Sequence, residues 1–576
     1  MAAVVAIFVL ACFALGYRFY ARFIGERIYR DDEDIETPAH ALEDGQDFVP
    51  TQKHILFGHH FTSIAGAAPI IGPCVAAYWG WLPALVWVVL GTIFMGAVHD
   101  FGALVVSVRE KGRSVADIAD SVMGPRARLM FLCFVVLLIW LVLAVFAMAI
   151  AGLFVSMPSS VLPINIEIVL AVIVGLLIYK KGVPALWPSI VAVTIMYLFV
   201  WVGTIIPIDF TKWGVSTVAA TRGWVVFLFV YSAIASLLPV WALLQPRDFI
   251  NSHQLFVGLG VLFLGLIVAH PHFDAPAIRP PEAGAPPLFP LLFVTVACGA
   301  ISGFHGLVSS GTTSKQLDRM RDARPIGYGA MLGEGSLALA STMAAVAGVG
   351  LVGACALPGQ GAVPSLSWHL YYDTWAHAGA NKASAFVLGG GAFLEALGFP
   401  ADISQTVMAV LVISFAATTL DTAARIQRFI LAELGQATRI RPLENRYVAT
   451  VVAIVPAMAL AFGQTTDPAS GEAKALGWVL WPIFGASNEM LAALTLMVLS
   501  LYFWLRKRPV LPLLLPMLIV TAVSIAALFG KLQQFLASGH HVLAGLAFVL
   551  LMMTGWMLFE GISAVRRHRG ARAAAG

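Results

Sequence analysis

Eight ionisable side chains stand inside strongly apolar stretches of this sequence: His59, His60, His99, Asp100, His305, Glu334, Asp421 and Glu489. Ionisable groups in such surroundings are costly, and they mark solute sites, ion sites or proton relays. Histidine, with an ordinary pKa of about 6.5, suits proton exchange. His60, His305, Glu334 and Glu489 lie deepest in their segments and are the candidates for contact with a solute or a proton. His99-Asp100 and Asp421 fall near segment ends. Asp421 precedes Arg425 by four residues, the spacing of an ion pair on one helix face, and a basic loop residue would account for His99. Adjacent His59 and His60 point about 100° apart on a helix, so the tandem is a poor metal site by itself. Cys12, Cys74, Cys133, Cys298 and Cys355 are scattered without C-x-x-C spacing and read as small core residues. H-E-x-x-H and G-x-S-x-G are absent too. An intramembrane enzyme built on His59, His60, His305 and Glu334 is therefore the weaker of two readings. No catalytic residue, resident metal or cofactor is expected.

Uncharged oxygens gather in 298–315, CGAISGFHGLVSSGTTSK. Its hydroxyls, Ser309 and Ser310 among them, suit a sodium ion, a substrate carboxylate or plain helix–helix hydrogen bonding. A second unusual stretch is 57–73, FGHHFTSIAGAAPIIGP, with Gly58, Gly66, Pro69, Gly72 and Pro73 crowded into one helix length. Pro69 removes a backbone donor and crowds the carbonyl of Ala65. Unwound backbone at membrane depth survives only where it is packed in protein or lines a watery cavity. Its freed carbonyls can bind a cation, and the half-helix that follows can bind a carboxylate at its N-terminus. Such a break makes His60, Ser63, Gly66 and Pro69 candidate substrate contacts, with His305 facing them. The stretch AIASLLP at 233–239 resembles SIAGAAP at 63–69 and suggests a second break, carrying Ser236 and Pro239. The two would open successive sets of five helices, the spacing of an inverted repeat.

The elements that hold these residues are apolar helices. Of 576 residues 59% are hydrophobic and 11% charged, with a mean hydropathy of +0.86, far from the roughly 25% charged of a soluble domain. An all-α polytopic membrane protein follows, with spans expected near 2–18, 55–78, 83–108, 129–155, 165–179, 186–206, 224–246, 254–270, 288–311, 327–355, 403–424, 446–463, 475–505, 509–529 and 541–564. The apolar, glycine-rich 384–399 is short for a span and reads as a re-entrant or packed helix on the outer side. All but six of the 35 lysines and arginines then fall in alternate loops; the exceptions are Lys212, Arg222, Arg279, Lys382, Lys474 and Lys531. That bias puts the N-terminus outside and the C-terminus in the cytoplasm, and leaves no lysine or arginine deep inside a span. The net charge of +4 gives no reason to expect nucleic acid. The expected partners are membrane lipid and a small molecule, and the sequence sets no oligomeric state.

At these residues the chain resembles a known family. GHHFTSIAGAAPIIGP, AVHDF, LLPVWALLQPRDF, CGAISGFHGLVSSGTTSKQL, TTLDTAARI and WPIFGASNEMLAAL, in that order, are similar to the motifs of the carbon starvation protein A (CstA) family. The resemblance covers roughly residues 50–500. It implies a secondary transporter like those of the amino acid–polyamine–cation superfamily, taking up peptides or pyruvate in bacterial inner membranes when nutrients run short. It also implies a five-plus-five inverted repeat with the site beside the broken helices. The family usually has an amide after the asparagine of its WP-FG-x-x-N motif; here Glu489 follows Asn488. With Ser309, Ser310, Glu334 and Asp421, these two are the expected ion-coupling residues. The expected domains are a membrane region at 1–355, a second at 380–505, and two extra helices with a basic cytoplasmic tail at 506–576. The expectation is an importer of a small carboxylate-bearing nutrient, driven by a proton or sodium gradient.

Overall fold

The computed structural model describes all residues except 283–284, 358–360, 381–382, 467–472 and 576. The chain runs through α1 (Ala2–Tyr29), α2 (Lys53–Ile64), α3 (Ala68–Ala76), α4 (Trp81–Arg109), α5 (Val115–Met123), α6 (Pro125–Ser156), α7 (Pro158–Lys181), α8 (Leu186–Ile205) and α9 (Thr217–Leu237). It continues through α10 (Leu244–Ala269), α11 (Leu288–Thr295), α12 (Ala297–Ala300), α13 (Gly303–Gly311), α14 (Met320–Leu351), α15 (Ser384–Glu395) and α16 (Ala401–Thr438). The last four long helices are α17 (Arg446–Phe462), α18 (Trp481–Leu505), α19 (Leu511–Ala537) and α20 (His541–Ala575). Two small antiparallel hairpins pair 355–357 with 361–363 and 464–466 with 473–475. Among the described residues twelve helices are long and apolar enough to cross a membrane, or thirteen with α2 and α3 taken as one span bent by 45°. The fold is a multi-pass membrane helix bundle.

Two of the fifteen expected spans fall short of that test. The stretch 288–311 is cut into three pieces, and α17 has only 17 residues. A third expectation was misplaced. The chain does not cross at 224–246 with a break inside. Leu238 precedes Pro239 and is extended (φ −72°, ψ 151°), so α9 stops at Leu237 and α10 starts at Leu244, as the steric conflict before a proline requires. The stretch 233–239 is thus a corner between two spans rather than an unwound centre.

Burial sorts the helices by what they must cover. The crossing segments of α14 and α18 are 89% buried and that of α16 is 83%, against 33% for α1 and α8. The outer helices turn Phe8, Trp187, Leu198, Val230 and Phe559 outward, the apolar face that lipid solvates. The glycine run of 384–399 serves packing. A Cβ on Gly389 would strike the Ala344 carbonyl, so glycine lets α15 lie directly on α14. With twelve residues, or about 18 Å, α15 is too short to cross.

Candidate functional site

The first break follows Ile64. Ala65 leaves the helical region (φ −74°, ψ 65°), and Gly66 N–H donates to Ile64 O at 2.8 Å instead of continuing the helix. Pro69 lies in the first turn of α3, where its missing N–H would have had no helical acceptor. Gly66 is required here, since a Cβ would come within 2.5 Å of the Thr419 hydroxyl on α16. Likewise a Cβ on Gly72 would strike the Thr295 carbonyl, so the two broken helices cross at a glycine. The second break, at Ile301 and Ser302, has extended backbone at both residues. Asn488 of α18 splints it. Its Oδ1 accepts from Phe304 N–H at 2.9 Å, while its Nδ2 donates to Ser302 Oγ at 3.0 Å and Cys298 Sγ at 3.1 Å.

Between the breaks lies a small cavity whose lining includes Gly66, Pro69, Ser302, Phe304, His305 and Thr419, with Phe146 and Phe484. Its volume is about 10 Å³, room for roughly one water. A solute of several heavy atoms does not fit there unless the breaks part. Three sequence candidates meet here: Gly66, Pro69 and His305. Ser302 was among the hydroxyls of 298–315 that the sequence offers as ligands, whereas Phe304, Thr419 and Phe484 escaped, because nothing in their own segments shows which broken helix they face.

A buried polar line runs from this cavity. His305 Nδ1 donates to Asp100 Oδ2 at 2.9 Å, and His99 Nδ1 donates to the other oxygen of Asp100 at 2.7 Å. Beyond the ring, His305 Nε2 lies 3.2 Å from Glu334 Oε2. With Nδ1 committed to Asp100, one proton can reside either on His305 Nε2 or on the Glu334 carboxyl. His99 and Asp100 are therefore not at a helix end with a loop partner, as expected. They are fully buried within α4, ten and nine residues before its last residue. His60 lies apart from the line, hydrogen-bonded through Nδ1 to Thr313 at 2.9 Å.

A second polar cluster joins α2, α10 and α16. His59 Nδ1 donates to Asp248 Oδ2 at 2.6 Å, and Ser63 donates to the same oxygen at 3.3 Å. Arg247 binds Asp421 and the Tyr231 hydroxyl through Nη1 and lies 3.4 Å from Asp248 through Nη2. Two expectations fail here. Asp421 pairs with Arg247 and Ser232, while Arg425 bonds to Asp47 and to the Ala235 and Leu238 carbonyls. The placing of Arg247 in a loop fails too, because it is buried in the first turn of α10. The misplaced α9–α10 boundary had assigned it to a loop; the charged pair Arg247-Asp248 in LLPVWALLQPRDF was the available signal.

The remaining candidates do not converge on the cavity lining. Ser236 donates to Ala233 O at 2.9 Å, one turn before the corner that holds Pro239. Ser310 donates to Gly306 O at 2.7 Å, and the buried Ser309 hydroxyl has no partner among the described residues. Glu489 faces α19, accepting from Ser524 at 3.2 Å. No cluster of three or more metal-binding side chains occurs among the described residues.

The sequence matches the profile of the family described as carbon starvation protein CstA over residues 1–355 and 369–527. The chain belongs to the carbon starvation protein CstA family. The peptide transporter CstA of Bacillus subtilis (strain 168) is 31% identical, over 96% of this chain and 95% of that one. The pyruvate/proton symporter BtsT of Escherichia coli (strain K12) is 32% identical, over 85% of this chain and 75% of that one. A crystal structure of an Eremococcus coleocola manganese transporter mutant covers 91% of this chain at 13% identity and a TM-score of 0.49, a likeness too loose to bear on cargo. This CstA-family chain is a membrane transporter and not an enzyme.

Proposed function

We propose that this CstA-family chain imports a small carboxylate-bearing nutrient, a peptide or pyruvate, across the bacterial inner membrane, driven by a proton gradient. The observation that supports it most is His305, which lines the cavity with one face and meets Asp100 and Glu334 with the other. Substrate binding and proton position are thus coupled through a single ring. The carboxylate meets His305 and the Ala67 and Ala68 N–H groups, which have no backbone acceptor among the described residues and carry the positive end of the helix dipole. A sodium-coupled alternative rests on the free Ser309 hydroxyl alone. Uptake answers nutrient shortage, in keeping with the family's name.

The architecture proposed is an inverted repeat whose second broken helix is 288–311. In each half a broken helix is followed by a helix packed on the other half's break: α4 on α13, and α14 on α3. A short helix and a long one come next, α5–α6 and α15–α16, and each half closes with a helix against its own break, α10 on α2 and α18 on α13. Two additional helices in the first half, with α1, α19 and α20 outside the repeat, bring the proposed spans to the expected fifteen. The N-terminus is outside and the C-terminus cytoplasmic. The regions 1–355, 380–505 and 506–576 remain the proposed divisions.

The test is uptake into proteoliposomes holding the purified protein, with labelled pyruvate and labelled short peptides, under imposed proton and sodium gradients. Accumulation of one of them driven by the proton gradient is expected. Accumulation that follows sodium, or ignores both gradients, would overturn the coupling. For topology, reporters fused after Arg446 or Arg569 are expected in the cytoplasm, and an external signal at Arg446 refutes the orientation. The outer positions Gly284 and Lys382 lie outside the described residues.

A further inference from the structure

Away from the cavity, a polar seam runs between α7, α10 and α16. Along α10, Arg247 meets Asp421, Asn251 donates to Thr418 at 2.9 Å, and Gly258 abuts Leu411. This antiparallel register sets Gln254 opposite Ser414. Into the same seam α7 inserts Glu167, which is buried and accepts from Ser414 Oγ at 2.7 Å. The Asn251 amide stands beside the Glu167 carboxyl.

Two observations bear on the charge of that carboxyl. First, it has no cationic partner. Arg247 is taken by Asp421 and Asp248, His59 by Asp248, and no ion pair to Glu167 occurs among the described residues. The other titratable groups acting on it are Asp248 of α10 and Tyr231 of α9; α8 and the turn at 158–160 carry no carboxylate, histidine, lysine or arginine. An ionised carboxylate buried here, with Arg247 nearby but already paired to two other carboxylates, carries a heavy penalty. Second, Asn251 Oδ1 and both amide atoms of Gln254 are buried without a partner. A neutral carboxyl is at once acceptor and donor. It can take the Ser414 hydroxyl and give a hydrogen bond to the unpartnered Asn251 Oδ1, a bond that an ionised carboxylate cannot give.

We propose that Glu167 is a second proton-carrying site of this transporter, held neutral between Ser414 and Asn251 in a seam separate from the His99–Asp100–His305–Glu334 line. The proton comes from water when the seam opens and returns to water when Glu167 releases it; Asn251 Oδ1 is its hydrogen-bond acceptor meanwhile. The seam reaches the moving elements through Arg247 and Asp248, since Asp248 holds His59 and Ser63 of α2 beside the first break. Opening that break disturbs the charges around Glu167, which couples its proton to transport. This role rests on the proton-driven reading above, whereas the neutral carboxyl stands without it.

The experiment is infrared difference spectroscopy of the purified full-length protein in lipid nanodiscs, stepped in pH, for wild type, Glu167→Gln and Ser414→Ala. A carbonyl-stretch component of a neutral carboxylic acid is expected in wild type that is lost in Glu167→Gln and shifted in Ser414→Ala, which removes its hydrogen-bond donor. Glutamine mimics the neutral acid, so Glu167→Gln is expected to reach the membrane at wild-type abundance. Failure to fold would count against a neutral Glu167, as would a spectrum unchanged in both variants. In proteoliposomes with labelled pyruvate and a pH-sensitive dye, Glu167→Gln is expected to move one proton fewer per substrate than wild type. An unchanged ratio overturns the coupling role. Wild type that moves pyruvate without protons instead overturns the proton-driven reading, leaving the infrared result to decide the state of Glu167.

Discussion

Replacing Arg247 by glutamine is the sharpest test of the second polar cluster. The guanidinium binds Asp421 and the Tyr231 hydroxyl and lies 3.4 Å from Asp248, with all three charged groups buried. At an effective dielectric constant of about 20, a single charge pair at that separation interacts by about 5 kcal/mol. Formation of the pair returns little net stability, because both ions give up hydration. Its rupture is costly, because the surviving carboxylates stay buried without a counter-ion, and removing one partner typically destabilises by about 3–5 kcal/mol. Arg247→Gln should lower the folding equilibrium constant by about two to four powers of ten, at about 1.4 kcal/mol for each. Arg247→Gln with Asp421→Asn removes one charge of each sign and lets two amides hydrogen-bond. It should recover about half the loss or more, since Asp248 keeps His59. The assay is equilibrium unfolding of the purified protein in lipid bicelles titrated with a denaturing detergent, for wild type, both single variants and the double. A single variant within about 0.5 kcal/mol of wild type, the range of an ordinary surface change, would refute the buried pair. So would a double variant no more stable than Arg247→Gln.

Three further outcomes concern transport. His305→Ala should abolish gradient-driven uptake, and His99→Ala should impair it more than His60→Ala, because His99 holds the other oxygen of Asp100; initial rates at equal membrane abundance give the ranking, and a worst effect at His60 would refute it. Pro69→Ala restores a donor in the first turn of α3 and lets α2 propagate across Gly66, so uptake should fall about tenfold or more with abundance unchanged; wild-type rates would reduce Pro69 to an ordinary kink. Glu489→Gln should leave rate and pH profile unmoved, since Glu489 faces Ser524 on α19; a displaced profile would return it to the coupling machinery.

Much of this protein could be read from its residues alone. Composition and apolar run lengths dictate a helical membrane bundle, since backbone groups in lipid must be satisfied within a helix. The glycine–proline crowding at 57–73 marks the first break, because those residues act on the backbone locally. The six motifs in order carried the family. What failed depended on contacts between distant segments. Pro239 was visible, but whether a proline bends a span or ends one depends on where the chain next finds a partner, and here α10 starts afresh on α2. Asp421 had a suitable cation four residues away, yet tertiary packing brought it Arg247 from 174 positions earlier. His99 looked peripheral because its segment alone does not show that α13 brings His305 onto the other oxygen of Asp100. The neutral surroundings of Glu167 could not be seen at all, because a lone glutamate in an apolar run acquires its meaning from Ser414 and Asn251 on two other helices. Local backbone chemistry is written in the sequence; which polar groups share a proton is decided by which helix faces meet.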